Sequence, residues 1–156
     1  MDLQKVKLLI QQKKFRDLLD FLIKNKKNND HSLEFLFYLG RAYSELNEYN
    51  LAIKNYLKAL EIKSESVACL LNLAIIYHNI GEKKKAKNNY IKIISLNQKC
   101  IQAYFGLYSL GKELITTEHY DYLFNISENK ELSLNDKSLI NFLFFKREKK
   151  NKKFQK

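Results

Sequence analysis

Proline is absent from this chain of 156 residues, and glycine occurs only 4 times. Proline removes a backbone donor and glycine carries extra backbone entropy, so both interrupt helices. Their scarcity leaves long helices as the default. No run of 18 or more apolar residues occurs, and no membrane span is expected. Met1 to Lys14 has no uninterrupted apolar core and no small-residue cleavage site, so it does not read as a signal peptide. The 2 cysteines, Cys69 and Cys100, have no metal-binding spacing. A cytoplasmic, reducing setting fits these absences. Four glycines spread over helical stretches cannot build a phosphate-cradling loop. No Gly-x-Ser-x-Gly turn, paired-histidine motif or Cys-x-x-Cys occurs either. The sequence therefore predicts no catalytic residue, no cofactor and no metal.

What is present is lysine, asparagine, leucine, isoleucine and two abundant aromatics, phenylalanine and tyrosine, at 10 each. Formal net charge is +11, and its distribution matters more than its size. Residues 31–81 carry −1 and residues 100–145 carry −3, whereas residues 146–156 alone carry +6. The excess is a basic tail with further lysines within residues 1–30 and at 83–87, rather than one stripe. Nucleic acid or another anionic surface is one reading of such patches. Dispersed lysine that keeps the chain soluble is the other.

The stretch Leu36 to Ala59 organises the rest. It contains Leu39-Gly40, Tyr43, Ala52, Tyr56 and Ala59. Adding 34 to these positions returns the pattern as Leu70, Leu73, Ala74, Tyr77, Ala86 and Tyr90, with Ile93 in place of the last Ala. A large apolar residue, Leu-Gly, Tyr, Ala, an aromatic and Ala at these offsets resembles the tetratricopeptide repeat family. The resemblance implies an all-α, right-handed solenoid of antiparallel helix pairs, here closed by a C-terminal capping helix. It also implies a protein-interaction scaffold with a protein or peptide partner. Small residues where two helices cross allow close approach, which gives Gly40 and Ala52 a packing role with Tyr43 and Tyr56 beside them.

Along the chain, residues 1–30 read as a degenerate first repeat or capping hairpin, with Leu3, Val6, Leu9 and Ile10 on one helical face. Lys13-Lys14 form a short break before Phe15, Leu18, Leu19, Leu22 and Ile23. Residues 33–66 and 67–100 are the two regular repeats, opened by Asp30 or Ser32 and by Ser64 or Ser66 as helix caps. Asn47 and Gly81 stand at their internal turns, where a left-handed residue is expected. Residues 101–131 form a degenerate third repeat, in which Tyr108 replaces the small residue and Gly106 offers a substitute contact. Thr116 or Thr117 opens its second helix. A capping helix spans residues 133–148, begun by a capping box of Ser133 and Asp136, and residues 149–156 form a basic tail. The whole is expected to be one domain.

The resemblance also implies which positions face the concave groove. They are Glu34, Phe37, Arg41 and Glu45; then Leu71, Ile75, His78 and Asn79; then Gln102, Phe105, Ser109 and Lys112. This set is apolar in the middle with polar flanks, and it suits an extended or helical peptide. The same apolar residues would equally suit packing between helices or cover by the terminal segments. One subclass of the family grips a peptide carboxylate through Lys, Asn and Arg side chains from three repeats. Asn72 falls on its asparagine position, but Phe37, Arg41, Gln102 and Gly106 do not match the others, so that clamp is not expected. His78 lies nine positions after Cys69, half a turn out of phase, so the two cannot share a metal. His31 and His119 lie near linkers and helix starts.

Two other functions stay open at this level. The segment Leu132 to Phe142 resembles the stretch that joins such repeats to the catalytic domain of certain bacterial sulfotransferases. The chain would then be the helical part of an enzyme whose sulfonate-donor loop lies elsewhere. The basic patches would alternatively support weak binding to nucleic acid or an anionic surface.

Overall fold

The computed structural model describes residues 2–26 and 32–153, with side chains through residue 148. Among the described residues there are nine α-helices and no strand. The helices are α1 Leu3–Gln11, α2 Phe15–Lys24, α3 Leu33–Glu45, α4 Tyr49–Ile62 and α5 Val67–Asn79. They continue as α6 Lys83–Leu96, α7 Ile101–Leu110, α8 Thr117–Ser127 and α9 Leu134–Lys153, with a 3-10 turn at Lys112–Leu114. The chain separates into two compact units, Met1–Glu82 and Lys83–Lys156, rather than the single domain expected. The boundary falls at a turn inside the second regular repeat.

In the first unit, three turns repeat one geometry. Lys13, Asn47 and Gly81 have positive φ of 55°, 63° and 82°. Each is separated from the next by the same interval that relates the two regular repeats. The residue after each turn donates its N–H back into the preceding helix at equivalent sites: Lys14 to Leu9, Glu48 to Tyr43 and Glu82 to Tyr77, at 2.9, 2.9 and 2.8 Å. These bonds satisfy carbonyls that a helix end leaves without partners. Lys13 thus takes part in a full repeat turn, where the sequence suggests only a break. Asp2 opens α1 by accepting from the N–H groups of Gln4 and Lys5, and Ser32 opens α3 by accepting from Phe35. The alternative cap, Asp30, lies outside the described residues, as does His31. Ser66 occupies the cap position of α5 but makes no capping bond there. Its side chain instead bonds the Cys69 thiol.

Helix pairing in this unit follows side-chain volume. The Tyr56 ring of α4 lies over Gly40 of α3, where an added Cβ would come within 2.9 Å of it. Both residues are buried, and so is Ala52. The equivalent positions one repeat earlier are Val6 and Leu22, fully buried in the α1–α2–α3 core with Leu18. A small residue faces a large ring in one repeat, and two medium aliphatics fill the same space in the other, as close packing requires. A second core joins Leu36, Tyr56 and Ala59 to Cys69, Leu73 and Ile76 of α5.

The Tyr56 hydroxyl is fully buried and finds no hydrogen-bond partner among the described residues. Burial, and then Cys69, push its ionisation upward, while Arg41 opposes. An unsatisfied buried hydroxyl costs about 1–3 kcal/mol. Tyr56→Phe keeps the ring against Gly40 and removes that cost. The expected result is an unchanged or raised midpoint in urea unfolding; a clear loss of stability would mean the hydroxyl has a partner.

In the second unit, α7 stops early. Leu110 is followed by Gly111 in extended backbone, and the chain turns through the 3-10 segment to Ile115. Ile115 stands one repeat after Gly81, yet it is not left-handed. Thr116 then opens α8. α9 packs on α7 and α8 through Ile140 and Leu143, both buried. It begins at Ser133, whose hydroxyl accepts from the Asp136 N–H at 3.1 Å and donates to the Asp136 carboxylate at 2.7 Å. α9 runs to Lys153, past the end at residue 148 expected from the sequence. Lysine, arginine and glutamate are good helix formers, and no glycine or proline stops the run.

Candidate functional site

The four groove positions of the first regular repeat share one side of α3. Glu34 and Glu45 are placed toward its two ends, with Phe37 and Arg41 half-buried between them. Phe37 packs against the α4–α5 core and lies 6.0 Å from the Tyr56 ring and 5.3 Å from Tyr38. Arg41 and Glu45 both act electrostatically on the Tyr56 hydroxyl, as does Cys69 of α5. These side chains therefore converge where α3 meets α5.

On α5, the buried residues Cys69, Leu70, Leu73, Ala74 and Ile76 hold the helix to the fold. Leu71, Asn72 and His78 lie on its less buried side with Ile75 and Asn79. Ile75 keeps 44 % of its surface in solvent, which a core residue would not. The Asn72 amide donates to the Ala68 carbonyl one turn earlier at 2.8 Å, so its donor serves its own helix. In this unit the structure places Phe37 and Arg41 on α3 and Leu71 and Ile75 on α5, two helices in contact with each other.

The third set, in the second unit, is arranged differently. Gln102 is exposed and accepts from the Cys100 thiol at 3.6 Å. Ser109 is exposed and donates to the Phe105 carbonyl at 2.9 Å. Phe105 lies against Phe142 of α9, with ring centres 5.6 Å apart, and Tyr108 meets the same ring at 5.9 Å. The terminal helix thus covers the aromatic part of α7. Sequence reasoning misses Phe142, although it stands one repeat after Tyr108 and so recurs at an aromatic position. Lys112 lies beyond α7, in the 3-10 turn. There it shares a cavity of about 250 Å³ with Tyr120, Lys146 and Arg147. The Arg147 guanidinium sits 4.6 Å from the centre of the Tyr120 ring, a cation–π contact.

Titratable chemistry is sparse. Both cysteines are buried and free. Burial pushes the Cys69 and Cys100 thiols up, away from the reactive thiolate form. Among the described residues no group of His, Cys, Asp and Glu could hold a metal ion, and no helix is long and apolar enough to cross a membrane. His119 has a local role that the sequence does not reveal. Its Nδ1 accepts from the Thr116 N–H, and the Thr116 hydroxyl accepts from the His119 N–H, both at 3.3 Å. This is a capping box with histidine in place of the usual Glu or Gln.

Burial holds the His119 pKa below its ordinary 6.5, with Glu118 opposing. A depressed histidine binds its proton more readily in the unfolded chain. Its contribution to stability is present above pH 6.5 and is lost as pH falls toward and through the lowered folded value. Protonation also removes the Nδ1 acceptor and puts a cation at a helix N-terminus. Stability should fall as pH drops from 6.5 toward and through that lowered value. In His119→Gln the box survives without the titration, and that slope should flatten in thermal melts taken across the range.

Comparison with known proteins agrees with the helical-repeat fold. A TPR repeat model matches residues 40–81, and a Tetratricopeptide repeat model matches residues 67–100. A Protein CTR9 homolog of Arabidopsis thaliana is 30% identical over 97 residues, 62% of this chain and 9% of that protein. Tetratricopeptide repeat protein 37 of Xenopus laevis is 32% identical over 69 residues, 44% of this chain and 4% of that protein. The chain therefore spans less than a tenth of either relative's length. Among solved structures, the MamA protein superimposes with a TM-score of 0.66 at 25% identity, covering 83% of this chain and 74% of that one. The fold is the all-α helical-repeat solenoid class.

Proposed function

The chain belongs to the tetratricopeptide repeat family through residues 40–100, and from that premise we propose that it binds a peptide segment of a partner protein on the α3–α5 face. Its general role is that of a protein-interaction scaffold. The observation that carries the finer reading is Ile75, a large aliphatic left 44 % exposed beside half-buried Leu71. An apolar strip flanked by Arg41, Glu34 and Glu45 suits a segment with an aliphatic anchor and polar ends. The mechanism is presentation. Helices already held by the two cores order little on binding, so less of the interaction energy is lost to conformational entropy.

The test is partner capture followed by titration of the captured segment as a synthetic peptide. Arg41→Glu with Ile75→Asp changes two side chains outside the fully buried core. Binding is expected to weaken at least tenfold, an amount equal to about 1.4 kcal/mol. Unchanged affinity in a variant with intact helical circular dichroism would remove this face from the proposal.

A further inference from the structure

The opposite side of α3 carries a second cleft. Leu39 and Tyr43 of α3 and Leu51 of α4 form its floor, and Lys26, Lys54 and Lys58 stand at its edge. None of these residues belongs to the α3–α5 face. Leu51 is 41 % exposed, and Lys54 and Lys58 are exposed one helical turn apart on α4. The cleft measures about 260 Å³. That is under the roughly 300–1,000 Å³ of pockets that enclose small molecules, and it suits an inserted side chain.

Charge is segregated here. Residues 31–81 hold five carboxylates, Glu34, Glu45, Glu48, Glu61 and Glu65, against the four cations Arg41, Lys54, Lys58 and Lys63. In this slightly acidic stretch no carboxylate lines the cleft, and two of the four cations do. An apolar floor with a cationic edge is complementary to one kind of occupant.

We infer that this cleft docks an acidic peptide segment, with an aliphatic or aromatic anchor on Leu39, Tyr43 and Leu51 and flanking Asp or Glu on Lys54 and Lys58. Complementary charge steers such a segment to the cleft and rejects basic ones. The i, i+4 lysines lie about 5–6 Å apart, which lets carboxylates on either side of one anchor reach both. A nucleic acid is the poorer fit: of the two aromatic residues that line the cleft, Phe35 is only 1 % exposed, which leaves Tyr43 alone for stacking, where such sites use several.

The probe is a fluorescein-labelled peptide, Glu-Asp-Leu-Glu-Asp-Phe-Leu-Glu-Asp, followed by anisotropy against the full chain. The control peptide has Lys at every acidic position. The acidic peptide is expected to bind and the basic one not. Lys54→Glu with Lys58→Glu should weaken binding at least tenfold, and Leu51→Gln should weaken it severalfold. Arg41→Glu with Ile75→Asp should leave it unchanged, which separates this cleft from the α3–α5 face. The inference is overturned by absence of acidic-peptide binding, or by equal binding of both peptides. It is also overturned if binding is lost in the Arg41/Ile75 variant but kept in the lysine variant, or if a single-stranded oligonucleotide displaces the peptide from Lys54 and Lys58.

Discussion

Leu143→Asp should release α9 from the second unit. Leu143 is fully buried, next in sequence to Phe142 and one turn from the equally buried Ile140. Cutting a buried leucine back to a small side chain costs about 2–5 kcal/mol through lost transfer energy and residual cavity. An aspartate adds the desolvation of a carboxylate with no partner. The sum is comparable to the whole stability of a small unit, so undocking is the easier outcome. With α9 released, Phe105 and Tyr108 lose Phe142, and Tyr120 and Phe124 lose Phe144, which stands 6.3 Å from each. Hydrogen exchange should then show loss of protection across α9 and α8, with α1–α4 as the internal reference. Leu143→Ala is the milder form and should lower the melting temperature without releasing the helix. Retained protection in α9 of the aspartate variant would show that Leu143 does not anchor it.

This packing also marks where the sequence is readable. The two regular repeats are legible because each needs the same small and aromatic residues at the same crossing. Gly40 with Tyr56 is the visible case. The first repeat is harder to see because Val6 and Leu22 fill the same volume with different shapes, and volume is not a motif. Its turn is hidden for a similar reason. Lys13 adopts the left-handed conformation that glycine and asparagine favour, and only its place one repeat before Asn47 gives it away. The capping residues follow from local chemistry at Ser32, Thr116 and Ser133, and fail at Ser66, where a thiol competes for the hydroxyl. The candidate site is legible one helix at a time. That Phe37 and Arg41 lie on the α5 side of α3 follows from periodicity. That Phe105 is covered by Phe142 depends on how α9 docks, a long-range choice that no local pattern encodes.

Gly106→Ala should destabilise the second unit although alanine is the better helix former. Gly106 is buried in α7 beneath the ring of Tyr90 on α6, and a Cβ built there falls inside van der Waals contact with three ring atoms. Tyr90 is itself 2 % exposed, so the ring has nowhere to retreat. Helix propensity favours alanine by about 1 kcal/mol, whereas overpacking a well-packed core costs about 1–3 kcal/mol. The clash is more severe than at Gly40, where the nearest ring atom stands 2.9 Å from the added carbon. A net loss of about 1–2 kcal/mol is therefore expected for Gly106→Ala, with a smaller one for Gly40→Ala. The steric origin is separable from any backbone effect by a double-mutant cycle. Tyr90→Leu removes the ring and opens a cavity, so it is destabilising alone. Combined with Gly106→Ala, the added methyl group partly fills that cavity, and the pair should be more stable than the sum of the single losses predicts. Tyr90→Phe keeps all three contacting ring atoms and should show no such rescue. Additive losses in the leucine cycle would mean that glycine is held at this position by something other than the tyrosine above it.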